Sequence, residues 1–293
     1  MMVLTTLCLS WVLTAQVGPT ANPVLDTLTE RGVQGQGVAV RLPQPSLADG
    51  QNADAGRGVL RDLVGDDRGV ANFVRDSVTA PFVLKTRDTQ AGDATIRSAD
   101  LWFVVHGELD EVDLKQVLGK TDESSVEAGN MRFTTKLLAA NDLRDRKLDR
   151  LPEAPGRDEW YNHATGRLLD RIAVGSTDRV VATRTADSLT VAALTSRTFD
   201  ADPTWPNRWS TITRTGATET TESPQVYDGG GSYVKITKLS VAPGTLFVEA
   251  HFAFVEPHPW FDGNPILRSK FSVICQDQVR QLRREIQKRR PKK

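Results

Sequence analysis

Apolar positions near the end of the chain follow two periods in succession. Tyr233 to Leu239 reads as one strand and Leu246 to Val255 as a second, with Ala242-Pro243-Gly244 as the tight turn between them. In the second strand Leu246, Val248, Ala250, Phe252 and Phe254 take one face, and Glu249 and His251 take the other, which is expected to meet solvent. After the aromatic loop Pro257 to Gly263 the period changes. Leu267, Phe271, Ile274, Cys275, Val279, Leu282 and Ile286 recur at three- and four-residue steps, predicting an amphipathic helix from about Pro265 to Lys288. Arg268, Lys270, Gln276, Asp277, Arg280, Arg283 and Arg284 fall off that stripe.

Upstream, Val59, Leu60, Leu63, Val64, Val70, Phe73, Val74 and Val78 carry helical spacing, broken at Gly65 and Gly69 and stopped by Pro81. Phe82 to Thr86 and Ala99 to His106 read as strands. The unbroken run Leu101-Trp102-Phe103-Val104-Val105 predicts burial on both faces under a covering helix. Leu109 to Leu118 reads as a short helix, Met131 to Leu137 as an alternating strand, and Asn141 to Asp158 as a surface excursion. Arg167 to Val174, Arg179 to Thr185 and Leu189 to Thr198 follow as strands, joined by hairpin-sized connections at Gly175 to Asp178 and Ala186 to Ser188. A rigid aromatic loop, Asp202 to Trp209, leads to a strand over Trp209 to Arg214, and Gly216 to Gln225 is polar and expected to be exposed. This order predicts an α+β fold, an antiparallel sheet with its helices segregated to one side, in one domain over residues 58–290.

Composition changes the picture at the N-terminus. Val3 to Ala15 is an apolar run too short to span a bilayer and reads as a secretory signal over residues 1–15, which implies an exported chain with no transmembrane segment once it is removed. Residues 16–57 are rich in Pro, Gly, Gln, Asn and Ala and are expected to form a flexible leader. Without the signal, Cys275 is the remaining cysteine, so no internal disulfide is expected and the thiol reads as a small buried hydrophobe. Lys+Arg 37 balances Asp+Glu 37, which removes any global pull toward nucleic acid or an anionic surface. The basic end, Arg283-Arg284 to Lys292-Lys293, reads as a solvated helix C-terminus.

Recognisable reaction chemistry is missing. The four histidines show no metal-ligand spacing, and there is no Gly-x-Ser-x-Gly elbow. Asp228-Gly229-Gly230-Gly231-Ser232 precedes a strand, whereas a phosphate loop needs a helix and a Lys. No catalytic residue, metal or cofactor is therefore assigned.

The stretch from Asp178 to Arg290, and most closely Thr245 to Ile286, resembles the START-like, or helix-grip, lipid-transfer superfamily. The last strand running into Glu256-Pro257, then Trp260, then the amphipathic helix through Val279 to Arg284, carries the likeness. The chain is also similar to a group of exported bacterial proteins without an assigned function. The helix-grip resemblance implies a curved antiparallel sheet packed around the C-terminal helix, with a lipid or other apolar small molecule held between them. Trp102, Phe133, Tyr233, Phe252, Phe254, Trp260, Phe271 and Ile274 are the expected wall, with Trp260 and Phe261 at the entrance. The competing expectation is a filled-core module of the cell envelope that grips a partner protein through Pro203 to Trp209, with Trp205 as the residue to test, or through the basic tail.

Overall fold

The computed structural model describes residues 21–112, 122–128, 131–144, 146–148, 150–216, 218–262 and 264–289. The expected signal over residues 1–15, most of the expected helix from Leu109 to Leu118, and the basic end beyond Arg289 lie outside them. In chain order, a turn of helix α1 (Pro23–Asp26) runs into a π-helical turn (Thr27–Arg31) and a ribbon of β1 (Val33–Gly35) and β2 (Val38–Val40). Helices α2 (Ala53–Val64) and α3 (Asp67–Phe73) follow, then strands β3 (Val83–Ala91), β4 (Ala94–His106), β5 (Glu123–Ala128) and β6 (Met131–Leu137). A short helix α4 (Ala140–Arg144) leads to β7 (Arg157–Leu168), β8 (Ile172–Arg184), β9 (Ser188–Thr195), β10 (Arg208–Thr215), β11 (Thr218–Thr221) and β12 (Gln225–Val226). The last hairpin, β13 (Gly230–Lys238) and β14 (Thr245–Pro257), delivers the long helix α5 (Ile266–Arg289).

The fold is thus α+β, a 12-stranded antiparallel sheet with a C-terminal helix on one face. Its main path runs β3-β4-β14-β13-β9-β8-β7-β6-β5. The closing hairpin is inserted in the middle. β14 pairs with β4 along its whole length, from Thr245 opposite His106 to Pro257 opposite Ala94, and β13 pairs with β9. One hairpin therefore joins the first strands of the sheet to the later meander.

One sequence expectation fails for a local reason. Gly175 to Asp178 is not a turn but the interior of β8. There the strand changes partner: Ile172 to Gly175 pair with β10, and Asp178 to Arg184 pair with β9. Asn207 Oδ1 accepts from Thr177 N at 2.8 Å in the fork between them. The actual turn is Leu169-Asp170, both left-handed at φ 51° and 53°, a conformation that non-glycine residues adopt infrequently. The broken helix appears as expected. Asn52 caps α2 by accepting from Ala55 N, Gly65 ends it at φ 98°, and Asp66 caps α3 by accepting from Gly69 N.

Residues 21–57, expected as part of a flexible leader, are packed against the sheet. Val24, Leu28, Val33 and Leu42 sit on Ile96, Val181, Ala192, Tyr233 and Val255. Farther along, Leu47, Leu60, Val70 and Phe73 sit on Trp102, Val104 and Phe247. Gly231 has no side chain where Leu28 enters; a Cβ there would collide with it. Few large apolar residues suffice, because each meets a sheet face that is itself apolar.

The far end of the sheet is pinned by charge. Arg97, 2 % exposed, makes a bidentate pair with Glu256 at 2.5 Å and a further bond to Asp88 at 2.8 Å. Arg268 of α5 reaches the same Asp88 at 3.3 Å. Such a fork is the strong form of ion pair and fixes where the helix begins.

Leu28→Ala should cost about 3 kcal/mol, the usual penalty for emptying a fully buried leucine site. Urea unfolding checks this; a change within about 0.5 kcal/mol would match a surface residue and contradict the packed arrangement.

Candidate functional site

Along β4, β13 and β14 successive side chains point to opposite faces. Leu101, Phe103 and Val105, then Leu246, Val248 and Ala250, then Val234 and Ile236, face α5. From the helix, Cys275, Val279, Leu282 and Ile286 meet them, as the three- and four-residue spacing requires. The two surfaces do not close completely. A cavity of about 460 Å³ remains, walled by Leu101, Phe103, Val112, Val234, Val248, Ala250, Val279, Leu282 and Ile286. Glu111, Gln278, Gln281, Glu285 and Arg289 form its polar edge. Apolar walls with a few polar groups at one side are the usual character of a small-molecule pocket, and the volume lies within the usual range.

The expected wall residues are elsewhere. Phe133, Phe252, Phe254, Trp260 and Phe271 gather with Leu267 and Ile172 at the other end of α5, where their rings fill the space. Phe271 meets Phe252 edge-on at 5.4 Å and Phe254 at 6.1 Å. Trp260 and Phe261, expected at an entrance, are each 1 % exposed; Trp260 stacks on Tyr227 and meets Trp209 edge-on. Trp102 and Tyr233 point to the face away from α5, because their even or odd position puts them there. Ile274 is half-buried on the helix and lies outside the cavity wall. The cavity lies where the facing side chains are small: Ala250 and a run of valines. The sequence carries that signal in the small residues of these strands and not in the aromatic ones. Trp205, expected as an interface anchor, is half-buried beside His163 at 5.3 Å with Lys136 over its ring at 4.8 Å.

One charged residue of α5 was misplaced by periodicity. Arg283 is buried and lies under the helix. It donates to the carbonyls of Val104 at 2.9 Å, Val78 at 3.3 Å, Ala80 at 2.5 Å and Pro81 at 3.1 Å, with Phe103 beneath the guanidinium at 5.8 Å. Burial pulls its pKa down to about 10, still far enough above neutral to leave it a cation. It ties the roof of the cavity to β4 and to the segment after α3. Cys275, buried beneath the same helix, has its thiol pushed up by burial, which suits packing and not nucleophilic attack.

The opposite face holds the largest departure from expectation. Glu249 and His251 do not meet solvent; they are 0 % and 1 % exposed, and Asp100 beside them is 5 % exposed. The register places Asp100, His251 and Tyr233 in one row across β4, β14 and β13, and Trp102, Glu249 and Lys235 in the next. His251 Nδ1 lies 2.8 Å from Asp100 Oδ1, and its Nε2 lies 3.7 Å from Glu249 Oε2. Tyr233 stacks on the imidazole at 4.7 Å and Trp102 meets it edge-on at 5.1 Å. Burial alone would pull the His251 pKa down; hydrogen bonding and charge from Asp100 and Glu249 outweigh it and hold the group above its ordinary value. Among the described residues no group of three or more His, Cys, Asp and Glu side chains is arranged to hold a metal ion, since Asp100 and Glu249 meet opposite nitrogens of one ring.

No protein-family model and no curated protein matches the chain. Among the described residues no helix is long and apolar enough to cross a membrane.

Replacing Arg283 with Met removes the donor shared by four buried carbonyls. The expected loss is about 2–4 kcal/mol in urea unfolding, with Arg283→Lys recovering only part, because one ammonium cannot reach all four.

Proposed function

We propose that this chain is an exported carrier domain of helix-grip type, holding a lipid tail or another apolar small molecule between its sheet and α5. The observation that supports this most is the cavity of about 460 Å³ with apolar walls from β4, β13, β14 and α5. The driving force is burial of ligand hydrocarbon against those walls, roughly 25 cal/mol per Å² removed from water. The polar edge at Glu111, Gln278, Gln281, Glu285 and Arg289 offers donors and acceptors to a headgroup. No step of bond making is required. The face toward α5 is also the less tightly closed one. Ala250, Phe252 and Phe254 keep some exposure, whereas Phe247, Glu249, His251, Ala253 and Val255 on the other side are fully buried.

Delipidated protein should take up a fluorescent fatty-acid or phospholipid analogue. A ligand of about 20 heavy atoms at roughly 0.3 kcal/mol each gives about 6 kcal/mol of binding, a Kd of about 40 μM or tighter. Ala250→Phe places a ring in the cavity between Leu101 and Val234 and should weaken uptake by at least about tenfold, each tenfold being about 1.4 kcal/mol. Val273→Ala, on the exposed side of α5, should leave uptake unchanged. A wild-type protein that takes up no probe, or an Ala250→Phe protein that binds as well as wild type, would refute the carrier function.

A further inference from the structure

On the sheet face away from α5, residues 43–50 cross the strands as a strap without helix or strand. Pro43 and Pro45 have no N–H to contribute. The strap is tied to the sheet by a small set of polar side chains. Tyr233 Oη donates to the Pro43 carbonyl at 2.8 Å, and Glu249 Oε2 accepts from Ser46 N at 2.8 Å. Trp102 Nε1 donates to Ser46 Oγ at 3.2 Å, and Lys235 Nζ donates to the Leu47 carbonyl at 2.7 Å. Lys235 also pairs with Asp49 at 3.1 Å, and Asp49 accepts from Thr185 Oγ1 at 2.7 Å. Beneath the strap, His251 Nε2 and Glu249 Oε1 are buried without a hydrogen-bond partner among the described residues.

We propose that His251 is a proton-operated latch for this strap: the imidazolium keeps Glu249 in place to hold Ser46, and loss of its proton frees residues 43–50 from the sheet. With the proton present, the ring donates from Nδ1 to Asp100, and its Nε2–H is the positive edge turned toward Glu249. One cation then lies between two buried carboxylates. When Nε2 loses its proton, a lone pair faces the Glu249 carboxylate at 3.7 Å and two buried anions have lost the cation between them. Glu249 can regain water only by leaving Ser46 N, which opens the cover.

Other charges bear on the ring. Lys85 and Arg87 of β3 stand on the same face, Lys85 opposite Asp100 in register and Arg87 3.4 Å from its Oδ2. From β13 come Lys235 and Tyr233, whose phenol burial pushes above its ordinary range, so it stays neutral. The strap itself brings Asp49. The cations favour the neutral ring and the carboxylates favour the charged one. Because the folded His251 pKa is raised, its contribution to the closed state is complete below the ordinary histidine value. It is lost as pH rises through the raised value, so opening lies on the alkaline side. Leu42 before the strap and Leu60 after it remain as apolar footholds, which makes the event a local opening, not unfolding.

Hydrogen exchange of the full chain between pH 6 and 10, corrected for the base-catalysed intrinsic rate, tests this. Peptides covering residues 42–50 should hold steady protection below the ordinary histidine value, lose at most about tenfold per pH unit above it, the one-proton limit, and level off once the raised value is passed; that levelling-off marks the transition. Peptides of α5 should keep theirs. Arg87→Gln, at an exposed side chain, should move the transition to higher pH by removing a competing cation; Glu249→Gln should move it lower. Protection of residues 42–50 that stays flat across the range, falls in step with α5, or changes at a pH that Arg87→Gln does not move would overturn the latch.

Discussion

Everything in this molecule follows from three strands that are buried on both faces. Every residue of β4 from Ile96 to Val105 is buried, β14 beside it is covered almost as completely, and β13 is buried at Tyr233 and from Lys235 to Thr237. The ladder satisfies their backbone groups, but the side chains on each face need a separate cover. Helix α5 covers one face. Residues 21–78 cover the other, with Leu28, Leu47, Leu60 and Phe73 as the principal contacts. The two covers differ in kind. A helix presents a stripe of side chains and leaves space where the facing residues are small. A strap of irregular chain brings carbonyls and N–H groups to the sheet, so it can sit over charged side chains that a helix face could not satisfy.

That difference accounts for where the polar groups lie. Asp100, Glu249, His251 and Lys235 would be costly beneath an apolar helix. Beneath residues 43–50 they find Ser46 N, the Leu47 carbonyl, Asp49 and one another. A buried cluster of this kind contributes little net stability compared with a hydrophobic replacement, but breaking one member leaves the rest uncompensated. It fixes the position of the strap more than it strengthens the sheet. Arg283 does the same for α5. Four carbonyls from β4 and the residues after α3 determine where the last turns of the helix rest.

Much of the sheet was legible in the sequence, because period-two alternation in Leu246 to Phe254 and Met131 to Leu137 states which side chains share a face. The same alternation does not state what covers each face. Alternation puts Glu249 and His251 on the face opposite Leu246 and Val248, as the structure has them, but that face is covered and not in water. The correcting signal lay on the neighbouring strand. Leu101 to Val105 is apolar at both parities, so Trp102 and Val104 need a cover, and Glu249 pairs directly with Trp102. A cover over one is a cover over the other. The leader was misjudged by composition, since few apolar residues suffice when a preformed apolar face receives them. The Leu169-Asp170 turn is hard to see because Leu169 is not a turn former and a lone Asp170 within an otherwise strand-like run is a weak signal, while Gly175-Ser176-Thr177-Asp178 has the composition of a turn and is a fork. Arg283 escaped because helical period alone cannot separate a buried cation that finds carbonyls from an exposed one.

The cavity and the charge cluster are two faces of the same residues. Along β14 the order Val248, Glu249, Ala250, His251 alternates cavity wall and buried charge, and along β4 Asp100, Leu101, Trp102, Phe103 alternates the cavity wall with the charge of Asp100 and the indole of Trp102 that borders His251. Side chains at neighbouring positions cannot touch through the sheet, so a change at Ala250 reaches His251 only by moving the strand. The ladders on both sides of β14 resist such movement, with partners along its full length on β4 and over Gly230 to Lys238 on β13. The arrangement therefore keeps the ionisable groups of β4, β13 and β14 off the cavity wall while holding them one residue away, and the charged groups at the cavity edge come from α5 and Glu111. The wall there is hydrocarbon, and the charges of these strands spend their interactions on the opposite side, where they hold the strap.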